Sequence, residues 1–235
     1  FGAIGFMDDY ISILKKRNLG LTERQKLVLQ FAVVAAYLAS VAFAGGATHT
    51  TIPFVGQVDL GWLYYPLAAV VIVGVVNAVN FTDGIDGLNT TVSFFAFLSL
   101  ALCAGLLSMT GLSAMGLASA AACIGFLIWN WHPAKVFMGD TGSLFMGGMV
   151  CALAFGMDLP LLLLPVGFVY LCEILSVVLQ VTYFKATHGK RLFKMSPIHH
   201  HFEMCGWSEV KICLVFGLVA LLGGAVAILC VAFGM

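Results

Sequence analysis

Apolar residues fall in long blocks separated by short polar clusters, the spacing of a chain that crosses a bilayer repeatedly. Seven blocks, at roughly 27–45, 62–81, 92–108, 112–130, 143–157, 160–184 and 210–233, are long enough to span, or nearly so. The yardstick is a rise of about 1.5 Å per helical residue against a hydrocarbon core of about 30 Å. Block 143–157 is short and glycine-rich, which suits a thinned region or shielding by neighbouring helices. Pro165 and Gly167 interrupt 160–184, so a kink or break is expected there. Ahead of these blocks, FGAIGF is an apolar run that stops at Asp8 and is too short to span. It lacks the basic flank and cleavage site of a signal peptide. It reads as the end of an eighth membrane helix whose beginning is missing, so the sequence is expected to be a fragment. The expected fold class is all-α, a polytopic membrane bundle over residues 1–235 as one domain, with its N-terminal helices missing. Residues 46–61 mix β-branched and polar side chains around Pro53 and Gly56, which predicts a short β-hairpin outside the bundle.

Charge orients this bundle. Numbering the connections alternately gives one set at 8–26, 82–91, 131–142 and 185–209, and another at 46–61, 109–111, 158–159 and the C-terminus. All 11 Lys and Arg residues fall in or beside the first set. By the positive-inside rule those loops are cytoplasmic, which puts the polar clusters on the cytoplasmic face. One missed span would scramble the alternation, so the charges also support the helix count.

Composition agrees, with 61% hydrophobic and 9% charged residues, against about a quarter charged in a soluble domain. Zero formal net charge excludes a generally basic nucleic-acid binder. The seven cysteines include no CxxC pair and sit mostly in apolar runs, so they read as small buried residues.

Three polar motifs and a histidine-rich segment crowd the predicted cytoplasmic side. Ionisable groups in or next to spans are expensive and point to function. The first motif is Asp8-Asp9-Tyr10, followed by Lys15-Lys16-Arg17; adjacent carboxylates repel unless a cation neutralises them. Composition alone favours a hydrated helix end for this motif. The second carries Asn77, Asn80, Asp83 and Asp86, one every three residues, which keeps neighbours near one helical face. Gly84 and Gly87 let the backbone unwind or approach a ligand closely. Such hard oxygen donors suit Mg²⁺ and phosphorylated sugars better than soft metals. A capped helix end would explain one of these residues, not four. The third runs from Asn130 through His132, Lys135 and Phe137 to Gly139-Asp140-Thr141-Gly142-Ser143, directly before a span. A turn there presents a carboxylate and backbone N–H groups at a helix start, where phosphate oxygens are attracted. Phe137 has the ring to stack on a base, although a lone Phe beside a membrane is more often packing.

The histidine segment is Ser196-Pro197-Ile198-His199-His200-His201-Phe202-Glu203. Three consecutive histidines point different ways in any regular element, and no Cys or His stands at structural-zinc spacing. With Lys185, Lys190, Arg191 and Lys194 the imidazoles fit diphosphate binding better. Glu173, inside a span, has three readings: pairing with a neighbour, lining a lipid groove, or breaking the helix near Pro165. Together these groups are phosphoryl-transfer equipment, with carboxylates for Mg²⁺ and cations for phosphate.

GFMDDY, NAVNFTDGIDGLN, VFMGDTGSL and SPIHHHFE resemble the signature segments of the polyprenyl-phosphate N-acetylhexosamine-1-phosphate transferase superfamily. PIHHHFE resembles its muramoyl-pentapeptide branch. The resemblance implies transfer of phospho-MurNAc-pentapeptide from UDP-MurNAc-pentapeptide to undecaprenyl phosphate, giving lipid I and UMP with Mg²⁺, in a membrane-lipid environment and as a homodimer. It implies Asp140 as the Mg²⁺ ligand, Asp8 as the base acting on the lipid phosphate, and Asp9 beside it. Asn80, Asp83 and Asp86 would shape the nucleotide and metal site, Phe137 would stack on uracil, and Gly139 would allow close approach. His199, His200 and His201 would face the diphosphate or sugar-peptide part, with Asn130 and Lys16 as further contacts. A single displacement is expected, because a lipid phosphate is already a nucleophile. A relative using UDP-GlcNAc, an ion-coupled transporter and a catalytically silent scaffold are the competing readings. Transporters place polar groups near the midplane on broken helices, whereas most acids here sit at helix ends.

Overall fold

The computed structural model describes residues 1–16, 20–45 and 48–234. Arg17, counted among the cytoplasmic charges, lies outside the described residues. The elements in order are α1 (Gly2–Leu14), α2 (Glu23–Phe43), β1 (His49–Ile52), β2 (Gly56–Asp59), α3 (Tyr64–Thr82), α4 (Leu88–Leu106) and α5 (Thr110–Asn130). They continue with α6 (Gly139–Gly156), α7 (Leu163–Val166), α8 (Phe168–Ala186), α9 (Ile198–Glu203) and α10 (Glu209–Gly234). The chain is an all-α polytopic membrane protein. Among the described residues, α2, α3 with its leading turn, α4, α5, α8 and α10 are the 6 helices long and apolar enough to cross a bilayer. The remaining expected span is α6, whose 18 residues open on the polar run Gly139-Asp140-Thr141-Gly142-Ser143. Those side chains serve the site rather than lipid.

Burial shows which helix organises the bundle. In the most apolar window of α4, 67% of residues are buried, against 17% for α2 and for α5. α4 is therefore the hub, and α2 and α5 present most of their surface outward. Small residues set the closest approaches. A Cβ on Gly116 of α5 would lie 2.8 Å from Ala101 of α4, and one on Gly147 of α6 would lie 2.7 Å from the Val76 backbone of α3. Bilayer helices pack this way, because lipid tails supply no hydrophobic drive between them.

The expected break in 160–184 is present. Proline at position 165 lacks the N–H that would continue the helix, and the chain passes from α7 into α8 at Gly167. α10 lies against the break, with Gly223 packed on the Pro165 carbonyl.

The hairpin forms as an antiparallel pair in which His49 faces Asp59 and Ile52 faces Gly56. The Thr48 hydroxyl (2.6 Å) and the Gly61 N–H (2.9 Å) both donate to Asp59 and hold its carboxyl below the usual range. The hairpin docks on the turn after α6, where Thr51 N–H donates to the Asp158 carbonyl at 3.0 Å and His49 Nε2 lies 2.9 Å from Asp158 Oδ2. Phe54 N–H reaches the Gly234 carbonyl at 2.9 Å. At the opposite end of the bundle, the four polar segments converge.

Candidate active site

α6 begins at Gly139 with φ +61°, a left-handed start that glycine adopts without penalty. A Cβ there would lie 2.8 Å from Asp9 Oδ2. The space is needed because Asp9, inside α1, caps α6. Its carboxylate accepts from Asp140 N–H at 3.3 Å, Thr141 N–H at 2.9 Å and the Thr141 hydroxyl at 2.6 Å. These are N–H groups that a helix start leaves unpaired, and the positive end of the helix dipole favours the anion. α1 approaches α6 closely enough because position 5 is glycine; a Cβ there would collide with the Asp140 backbone.

The cap fixes where Asp140 points. Its Oδ1 accepts from Asn80 Nδ2 at 2.9 Å, and the same amide donates to the Ser143 hydroxyl at 2.8 Å. Its Oδ2 pairs with Lys26, at the start of α2. Lys26 Nζ also lies 3.4 Å from Asp8, whose Oδ1 accepts from Leu21 N–H at 2.8 Å. The Thr22–Gln25 capping box starts α2 one turn before Lys26 and so delivers the ammonium to both carboxylates. Carboxylate oxygens of Asp8, Asp9 and Asp140 lie within 4.8 Å of one another. Three carboxylates facing one ammonium leave an excess of negative charge, which a divalent cation with a taste for hard oxygens would neutralise. The donor set fits Mg²⁺, and Asp8, Asp9 and Asp140 are the carboxylates that could hold it.

Asp83 ends α3 beside this cluster. Burial, then the charges of Asp140 and Asp9, push its carboxyl up to about 7, while Asn89 and His199 pull the other way. Asp86, one turn on, joins three segments. Its Oδ2 accepts from Ala134 N–H at 2.9 Å and lies 3.0 Å from His132 Nδ1, while its N–H donates to Glu209 of α10 at 3.0 Å. His132 Nδ1 is 3.6 Å from the same Glu209 carboxylate. Beneath this latch, Asn130 is buried, accepting from the Thr90 hydroxyl at 2.6 Å and donating to the Val136 carbonyl at 3.0 Å. The loop it pins carries Phe137, whose ring is 71% exposed.

The three histidines diverge. His199 is buried with Nδ1 3.0 Å from Glu173 Oε2, and its ring edge fills the space beside Gly84. His200 Nδ1 is 2.7 Å from Glu203, and His201 Nδ1 accepts from Lys194 N–H at 3.1 Å.

A family model described as glycosyl transferase family 4 matches residues 1–158. Over 229 residues the chain is 46% identical to a phospho-N-acetylmuramoyl-pentapeptide-transferase of Halalkalibacterium halodurans, covering 97% of this chain and 70% of the relative. The Listeria welshimeri protein of that name is 44% identical over 99% of this chain and 72% of its own length. The one from Bacillus thuringiensis is 46% identical over 94% and 68%. The chain belongs to the phospho-N-acetylmuramoyl-pentapeptide-transferase family.

Within this family member, the structure brings Asp8, Asp9, Asn80, Asp83, Gly139 and Asp140 together at one helix start. Asp86 and Phe137 lie on the adjoining latch and loop, and His199 lies against the same 83–87 turn. Asn130 faces inward and acts through the loop. Lys16 sits exposed just past α1, and His201 is taken up by the Lys194 backbone. Sequence reasoning missed Lys26, counted only as one basic charge among many; its position one turn after a Thr-x-x-Gln capping box was the available signal. It also missed His132 and Glu209 as partners of Asp86. Of the three readings of Glu173, pairing with a neighbour is the one observed.

Proposed function

We propose that this protein transfers phospho-MurNAc-pentapeptide from its UDP-linked donor to undecaprenyl phosphate, forming lipid I and UMP at the first membrane step of peptidoglycan synthesis. The observation that carries this reading is the Asp8–Asp9–Asp140 cluster with Lys26 across it, at the end of the bundle where the basic loops converge. The relatives' name supports the sugar-peptide, and the charge alternation supports the cytoplasmic face of the bacterial inner membrane. The family resemblance supports a homodimer.

The reaction is an in-line displacement. An oxygen of the lipid phosphate bonds to the β-phosphorus of the donor, the bond from that phosphorus to the bridging oxygen breaks, and UMP leaves with the electron pair. Mg²⁺ held by Asp140 would neutralise charge building on the phosphate oxygens. Asp8 takes the remaining proton of the lipid phosphate, and Lys26 keeps Asp8 and Asp140 at fixed separation. Asn80 and the Asp9 cap hold Asp140 in one orientation. Phe137 offers its ring to uracil, Asp83 and Asp86 shape the nucleotide site, and His199 and His200 line the diphosphate and sugar side. A phosphate nucleophile needs no covalent enzyme ester, so one step suffices.

The test is UMP release by the complete enzyme in lipid nanodiscs, given undecaprenyl phosphate and either UDP-MurNAc-pentapeptide or UDP-GlcNAc. Release should need the muramoyl donor, the lipid and Mg²⁺, and should stop with EDTA. Release only with UDP-GlcNAc would overturn the assignment.

A further inference from the structure

A carboxylate in the middle of a membrane helix needs a reason, and the displacement above gives Glu173 none. Glu173 sits on α8, fully buried, with Oε2 3.0 Å from Nδ1 of the equally buried His199 on α9. A carboxylate facing a ring nitrogen favours the form of His199 with a proton on Nδ1. That orients the ring, with Nδ1 toward α8 and Nε2 toward the 83–87 turn. Gly84 makes room for it; a Cβ at that position would collide with Nε2. Among the described residues Nε2 has no hydrogen-bonding partner, and neither has the second carboxylate oxygen of Glu173. A buried polar atom left unpaired is costly, and a ligand atom beside Gly84 would relieve that cost.

We propose that Glu173 is the positioning residue of His199, locking the ring so that Nε2 meets a diphosphate oxygen of the UDP-sugar over the Gly84 turn. The inference rests on the donor reading of this site. Glu173 itself touches no substrate; it acts through the imidazole. To donate to a phosphate oxygen the ring carries a proton on Nε2 as well, and the Glu173 carboxylate balances that charge across Nδ1.

The test uses the complete enzyme in lipid nanodiscs, with ¹⁵N in the histidine rings, and compares Glu173→Gln, Glu173→Ala, His199→Ala and the double variant Glu173→Ala/His199→Ala. The His199 signals, identified by their loss in His199→Ala, should report a protonated Nδ1 in the parent and in Glu173→Gln, and a mixture of tautomers in Glu173→Ala. UMP release should fall about tenfold or more in Glu173→Ala, with the double variant no slower than His199→Ala alone. Glu173→Gln, which keeps an acceptor, should recover part of the rate. An unchanged His199 spectrum in Glu173→Ala, or losses that add in the double variant, would overturn the proposal. If Glu173→Ala folds poorly, Glu173→Met fills the space without accepting and carries the same comparison. Lack of UMP release from the parent enzyme would strike the donor reading instead, and the His199 spectrum would then decide the positioning role alone.

Discussion

Asp9 and Thr141 are joined twice, by the Thr141 N–H at 2.9 Å and its hydroxyl at 2.6 Å, across more than half the chain. The contact makes Asp9 the cap of the helix that carries Asp140. One member of the acidic pair thus caps a helix while its neighbour, Asp8, pairs with Lys26.

Asp9→Ala should therefore act on stability as well as rate. Loss of an N-cap costs about 1–2 kcal/mol, and α6 would lose the anchor that aims Asp140. The thermal midpoint of the detergent-solubilised enzyme should fall, and UMP release should fall with it. Asp9→Asn, which retains an acceptor, should keep most of the stability. Equal midpoints in Asp9→Ala and the parent would remove the cap from the explanation.

Lys26→Met tests the cation between Asp8 and Asp140. Without the ammonium the carboxylates compete less for a neutralising charge from the protein, so Mg²⁺ should half-saturate at lower concentration. Turnover at saturating Mg²⁺ should nevertheless fall about tenfold or more, because the spacing of Asp8 and Asp140 would no longer be fixed. A magnesium titration of UMP release separates the two effects; a rise in the Mg²⁺ requirement would contradict them.

Asn130→Ala should act at a distance. The substitution leaves the Thr90 hydroxyl and the Val136 carbonyl without their partner, at a cost of about 1–3 kcal/mol. The loop bearing Phe137 would loosen, so KM for the UDP-linked donor should rise more than kcat falls. Steady-state kinetics at varied donor concentration reads this split directly.

Asp83 gives the sign of a pH dependence. With its carboxyl pushed up to about 7 by burial and the Asp140 charge, the folded protein holds a proton that the unfolded chain releases near pH 4. Folded protein binds more protons through that window, so Asp83's contribution to stability is present at low pH and lost as pH rises through about 7. In EDTA, the thermal midpoint of the parent should decline between about pH 4 and 7 and level off above that. Asp83→Asn should flatten that decline, and an identical profile would contradict the burial-driven shift.

Much of the architecture was legible because lipid imposes a coarse code. Apolar block lengths marked the helices, Pro165 and Gly167 marked the break, and β-branched residues around Gly56 marked the hairpin. The site was legible as a set of segments, since carboxylates and histidines are too costly near lipid to be accidental. The assignment of tasks within it was not. Asn130 reads the same in sequence whether it faces a ligand or the Val136 carbonyl. Lys26 pairs with Asp140 over 114 positions, and His199 with Glu173 over 26, contacts that no local periodicity encodes.

The most direct measurement is UMP release from UDP-MurNAc-pentapeptide by the complete enzyme carrying Asp140→Asn, at saturating Mg²⁺ and undecaprenyl phosphate. Asparagine keeps the shape and the contact with Asn80 but removes the charge that would hold the metal. Turnover should fall at least about a hundredfold, with the thermal midpoint little changed. Turnover equal to that of the parent would contradict a metal-assisted transfer centred on Asp140.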